Sequence, residues 1–92
     1  MDKNLLTDVV AQMPQEFDSH EFIKKFIAMH EREYVDMLYE QHEVNGIFRA
    51  VHAEIGRALA EDAERLNICK VTRDLSENVK GYDSENQRCK KC

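Results

Sequence analysis

Phe17-Asp18-Ser19-His20-Glu21-Phe22 (residues 17–22) contains the strongest helix-start signal in this sequence. Asp18 is a favoured N-cap residue, and Glu21 follows three positions later as in a capping box, although Asp replaces the usual Ser or Thr. Phe17 and Phe22 occupy the positions of a hydrophobic staple on either side. The pattern predicts a helix that begins directly after the aspartate; the hydroxyl of the next serine is an alternative cap.

Apolar residues recur with helical spacing on both sides of this cap and predict three helices. The first covers about residues 3–12 and ends before Pro14, because a proline disfavours helix at the preceding residue. The second covers about 19–41 and is followed by Asn45-Gly46, which is a turn or a C-terminal cap. The third covers about 47–66, and it contains an internal glycine that predicts a close approach of another element.

The segment after residue 67 carries a weaker pattern. Residues 76–84 are rich in turn formers, so short strands, a hairpin or an ordered loop all fit. Residues 84–92 are predicted to be a frayed tail. The predicted fold is a single domain over 1–92, mainly α, with three helices followed by a short irregular or β-hairpin segment.

Length and composition restrict the class of protein. Ninety-two residues make one domain at most. Apolar runs are too short to cross a bilayer, and the N-terminus lacks the regions of a secretory signal, so we expect a cytoplasmic protein. Three cysteines, an odd number, fit reduced thiols better than a disulfide framework.

Charge is unevenly distributed along the chain. Residues 1–66 carry seven basic and 14 acidic side chains, a net charge of −7, whereas residues 67–92 carry six and four, a net charge of +2. Because an acidic body repels phosphate, any contact with nucleic acid is predicted in the C-terminal segment. The candidate contact residues are Lys70, Arg73, Lys80, Arg88, Lys90 and Lys91.

Several short motifs occur in a fixed order along most of the chain. They are Phe17-Asp18-Ser19-His20-Glu21-Phe22-Ile23, Tyr34, Phe48-x-x-x-His52-x-x-Ile55-Gly56-x-x-Leu59 and Ser76-x-Asn78-Val79-x-Gly81. In this order, from about residue 17 to 88, the chain resembles a small, poorly characterised bacterial domain family without an established activity. The resemblance implies helices followed by a short extended segment, as in winged-helix domains. The family pattern leads us to expect an aromatic residue at Cys89, and hence looser packing of the closing segment here.

The sequence lacks the patterns of catalytic and cofactor sites. The His-Glu pairs at His20, His30 and His42 are not followed four residues later by the second histidine that a zinc protease helix needs. Cys89-x-x-Cys92 has the spacing of zinc ligands or of a thioredoxin-like pair, but we interpret it as two thiols in a loose tail. We therefore predict a non-enzymatic protein with no metal and no cofactor.

His30 and His52 lie on the apolar stripes of the second and third predicted helices. One interpretation is a pH-sensitive pair or a general base. The favoured interpretation is two histidines at the edge of the core, hydrogen-bonded to the backbone or to Tyr34, because no nucleophile or oxyanion donor is predicted nearby.

Two functions of different classes remain. The favoured hypothesis is a protein-interaction or self-association module, because Met29, Val35 and Tyr39 lie off the main stripe of the second helix as a candidate apolar strip. The alternative is a winged-helix nucleic-acid binder that uses the basic C-terminal segment. The sequence indicates neither a membrane partner nor a small-molecule substrate.

Overall fold

A computed structural model describes residues 1–43, 45–77, 79, 81 and 83–92. In this part of the chain, four helices accompany a three-stranded antiparallel sheet, so the fold is mixed α/β and the predicted count of three helices is wrong. The elements are α1 (Lys3–Ala11), β1 (Glu16–Asp18), α2 (Ser19–Met29), α3 (Glu31–Glu40), α4 (Ile47–Glu61), β2 (Ile68–Glu77) and β3 (Asp83–Lys91). None of the described helices has the length and apolar content needed to cross a membrane.

Capping side chains determine where the first two helices begin. The Asp2 carboxylate accepts a hydrogen bond from the backbone N–H of Asn4 (2.9 Å) at the start of α1. The backbone N–H of Glu21 donates to Asp18 Oδ1 (2.8 Å), and α2 begins at Ser19. The start predicted from the capping pattern is therefore confirmed.

The single helix predicted over 19–41 is wrong, because α2 and α3 divide this segment at His30. His30 has φ −128° and ψ 52°, outside the helical region. Its N–H donates to the carbonyl of Phe26 in α2, and its carbonyl accepts from the N–H of Tyr34 in α3. Two glutamates in the first turn of α3 favour a helix start there, because negative charge stabilises a helix N-terminus.

The last helix, α4, ends at Glu61 rather than at the predicted residue 66. Turns cover residues 62–67, and Asn67 adopts a left-handed backbone (φ 57°), which asparagine tolerates better than most residues. This residue leads the chain directly into β2. The close approach predicted at Gly56 is also wrong: within the described ranges, nothing outside α4 lies within 4 Å of where its Cβ would be.

The strand order of the sheet is β1-β3-β2, so β3 is the central strand. β1 pairs with the end of β3, where Phe17 lies opposite Cys89. β2 pairs with β3 along its length, with an irregularity between Lys70 and Thr72, so the hairpin alternative is confirmed. Residues 84–92 belong mostly to this central strand and not to a frayed tail, because β3 exchanges hydrogen bonds with two neighbours.

The core lies where the helices pack against one face of the sheet. Phe17, Phe22 and Phe26 are fully buried at its centre. Cys89 is 3% exposed and belongs to the core cluster. The core consists of Leu6, Val9, Val10, Met13, Phe17, Phe22, Ile23, Phe26, Tyr34, Val51, Ile55, Leu59, Ile68 and Cys89.

The cysteines differ from the expectation of three reduced thiols. Cys69 and Cys92 form a disulfide whose Cα atoms lie 5.6 Å apart. Cys89 is free and buried, and burial raises the pKa of its thiol. The pairing depends on the register of the hairpin, which places Cys69 opposite Lys90 and brings the two ends together. An odd number of cysteines does not show which strand register the chain adopts, so it could not predict this disulfide.

Candidate functional site

A groove of about 820 Å³ lies between α4 and the β2–β3 hairpin, with the start of α2 at its side. α4 contributes one face of the groove, because its opposite face, with Val51, Ile55 and Leu59, is buried in the core. The hairpin contributes the other face. The groove is therefore a product of tertiary packing between elements that are distant in sequence.

Cationic side chains converge on this groove from two elements. Arg49 and Arg57 come from α4, whereas Lys70 and Arg73 come from β2. Arg73 is paired with Glu85, whose Oε1 lies 2.7 Å from the arginine Nε. Within the part of the chain that the structure describes, Arg49, Arg57 and Lys70 have no salt-bridge partner. The described lining thus has a net positive charge, although the chain has a net charge of −5.

Small residues lie between and just after the two arginines on the groove side of α4. They are Ala53, Gly56 and Ala60. Glycine in a helix interior costs up to about 1 kcal/mol relative to alanine. Since nothing outside α4 approaches the missing Cβ of Gly56 within the described ranges, packing against the described residues does not explain this glycine.

Two histidines line the groove and each contacts a hydroxyl group. His20 Nε2 lies 3.2 Å from Ser84 Oγ. His52 Nε2 lies 2.7 Å from the hydroxyl of Tyr34. Burial raises the pKa of Tyr34, so its hydroxyl is protonated at neutral pH. The tautomer of His52 determines which of the two groups donates. The hydrogen bond predicted between His52 and Tyr34 is confirmed. The one predicted for the His30 side chain is wrong: among the described residues its buried Nε2 has no hydrogen-bond partner, and its ring lies 5.6 Å from that of Phe26.

The structure brings two of the six basic residues predicted from the sequence into the groove, namely Lys70 and Arg73. Arg88 lies elsewhere and pairs with Glu16 at 3.8 Å. Lys90 and Lys91 do not line the groove, and Lys80 lies outside the described residues.

Arg49 and Arg57 are not among the site residues predicted from the sequence, because without the hairpin across the groove they resemble part of a solvated helix face. The sequence signal that could have identified them is their spacing of eight residues on one helix face, with small residues between them.

The second surface predicted from the sequence lies on α2 and α3. Met29, Val35 and Tyr39 are 36%, 54% and 74% exposed, which matches their predicted position off the buried stripe. A shallow pocket of about 580 Å³ adjoins Met29 and Val35. Tyr39 also stacks on His42, with ring centroids 5.2 Å apart.

The described residues contain no group of three or more His, Cys, Asp or Glu side chains placed to hold a metal ion. Cys89 and Cys92, which have ligand spacing in the sequence, have different surroundings: one is a buried thiol, the other is half of a disulfide.

Comparisons of the chain with models of protein families, with curated proteins and with solved structures find no match. The resemblance to a bacterial domain family stays a prediction, and the groove itself carries the functional argument.

Proposed function

We propose that this protein is a winged-helix-type module that binds duplex DNA through the groove between α4 and the β2–β3 hairpin. The observation that carries the proposal is the convergence of Arg49, Arg57 and Lys70, without salt-bridge partners among the described residues, in an acidic chain. Charges of one sign collected without compensation repel each other, and a polyanion relieves that repulsion. The proposal reverses the order of the two hypotheses that the sequence alone favours.

The order of the elements supports the winged-helix type. A helix, α4, is followed directly by a two-stranded hairpin, and β1 completes an antiparallel sheet of order β1-β3-β2. In this interpretation α4 occupies the place of a recognition helix and the hairpin that of the wing. One sugar–phosphate strand then passes between them, where the cations lie.

The acidic charge of the rest of the molecule favours binding of DNA in one orientation. Residues 1–66 have a net charge of −7, and most of these carboxylates lie away from the groove. A duplex is therefore repelled from most of the surface and attracted at the groove. This separation of acidic and basic surface favours one orientation of the protein on DNA over non-specific binding through any part of its surface.

Fluorescence anisotropy with a 20-base-pair duplex tests the proposal. Binding through the three cations Arg49, Arg57 and Lys70 predicts a slope of about −3 for log K against log salt concentration. Arg49→Gln, Arg57→Gln and Lys70→Gln should each weaken binding and reduce the slope by about one. Lys90→Gln removes an exposed charge of the sheet outside the groove and is the matched control.

Two results would count against DNA binding at this groove. One is the absence of wild-type binding at 20–50 mM salt, where the contribution of counterion release is largest. The other is an equal loss of affinity for Lys90→Gln and for the three groove variants, which would indicate general adhesion to cationic surface.

Self-association is a second candidate function, favoured by the exposure of Met29 on α2 and of Val35 and Tyr39 on α3. Burial of such a strip against a second copy would remove apolar surface from water. Sedimentation velocity over a range of concentrations should show a dimer that Val35→Ser weakens. Val71→Ser is the control, because Val71 is 48% exposed on the hairpin, away from the strip. A monomer at all concentrations would refute this candidate and leave DNA binding untouched.

A further inference from the structure

Gly56 leaves a gap on the groove side of α4 that no other element of the described chain enters. The residue is helical and its φ is not positive, so no backbone conformation requires a glycine here. Alanine would favour the helix and, among the described residues, would meet nothing within 4 Å. The described part of the chain therefore supplies no packing reason for the glycine.

The cations of the groove indicate what passes over this gap. Arg49 and Arg57 are eight residues apart on α4, which corresponds to roughly 12 Å along the helix axis. Lys70 faces them from β2. A phosphate chain that contacts both arginines must cross the helix surface between them, and Gly56 lies in that interval.

We propose that Gly56 is a positioning residue at which the sugar–phosphate strand packs directly against the backbone of α4. The inference rests on the proposed function and adds the mode of contact. Without a Cβ, the helix allows the strand to approach closely enough for Arg49 and Arg57 to reach phosphates at the same time. A side chain at this position would hold the strand away from both guanidinium groups.

Two neutral substitutions test the inference, because neither changes the charge of the groove. Gly56→Ala should raise Tm by about 4 °C, as expected from helix propensity in a domain of this size, and weaken DNA binding several-fold. Gly56→Leu should weaken binding by about tenfold or more and reduce the salt slope by about one, because phosphate contacts are lost. Asn4→Leu adds the same side chain to an exposed position of α1, outside the groove, and should leave affinity unchanged.

The outcomes separate this inference from the proposed function. If Gly56→Leu binds like the wild type while Arg57→Gln loses affinity, the close contact is refuted and DNA binding in the groove stands. If the wild type itself does not bind, both proposals are refuted. Should Gly56→Leu fail to fold, Gly56→Ala decides: undiminished affinity with an unchanged or higher Tm overturns the inference.

Discussion

Asp18 belongs to two elements, because it is the last residue of β1 and its side chain is the N-cap of α2. Its carboxylate is 5% exposed and accepts the backbone N–H of Glu21. We expect Asp18→Ala to lower the free energy of unfolding by about 1 kcal/mol, measured by urea denaturation. Asp18→Asn keeps the acceptor and should cost clearly less. Equal losses in both variants would assign the effect to the charge and not to the cap.

Tyr34 gives the fold a dependence on alkaline pH. Burial raises the pKa of its hydroxyl above the ordinary value, so the folded state holds this proton more tightly than the unfolded state. The corresponding stability is fully present below about pH 10, the pKa of an unfolded tyrosine, and is lost as pH rises through the folded pKa. Loss of the bond to His52 in Tyr34→Phe should cost about 1 kcal/mol at pH 7.

The wild-type advantage over Tyr34→Phe should therefore shrink as the pH rises above 10. Urea denaturation of both proteins between pH 7 and pH 11 measures it. A difference that is constant over this range would show that Tyr34 ionises equally well in the folded and the unfolded chain.

At the scale of elements, the disulfide between Cys69 and Cys92 restrains the β2–β3 hairpin. Closing a loop of this length stabilises a fold by up to about 3 kcal/mol through the entropy of the unfolded chain. Cys92→Ser should lower the free energy of unfolding by a comparable amount and make it insensitive to dithiothreitol. The wild-type protein should show one titratable thiol in denaturant, from Cys89, and three after reduction. Three thiols without reductant would contradict the pairing.

Element boundaries were predictable where one side chain determines them, and unpredictable where distant contacts do. The start of α2 follows from Asp18, which binds a backbone group three residues away. No proline or glycine lies at the helix break at His30, and the helical spacing of apolar residues continues through it, so the sequence does not predict the break. The same reason explains the candidate site, because Arg57 and Lys70 line one groove only when the fold places β2 on the opposite side of that groove from α4.

The central position of β3 is a second case of this kind. Its sequence, with a free thiol, five charged residues and little apolar periodicity, resembles a solvated tail. The strand is fixed by pairing with residues 16–18 and 68–77, which lie far from it or in the other half of a hairpin. The β propensity of the residues in a segment does not predict pairing with strands that are distant in sequence.

At the scale of the whole molecule, one cluster of buried side chains connects the helices with the sheet. We expect a single cooperative unfolding transition, as for most small domains. Helix loss, followed by circular dichroism, and alkylation of Cys89, which reports the sheet, should share one midpoint in urea. Phe17→Ala should lower both midpoints together, at a cost of about 3–5 kcal/mol. Separate midpoints would show that the sheet and the helices are independent folding units.

The placement of β3 between β1 and β2 has a consequence for biosynthesis. The ribosome makes β1 early, but the strand that supplies its hydrogen-bonding partners follows only after residue 83. At a translation rate of roughly 5–20 residues per second, this leaves a delay of roughly 3–13 s. During that interval Phe17 and the helical faces that it later covers lack their complete core, so the nascent chain is a candidate for chaperone binding until β3 emerges.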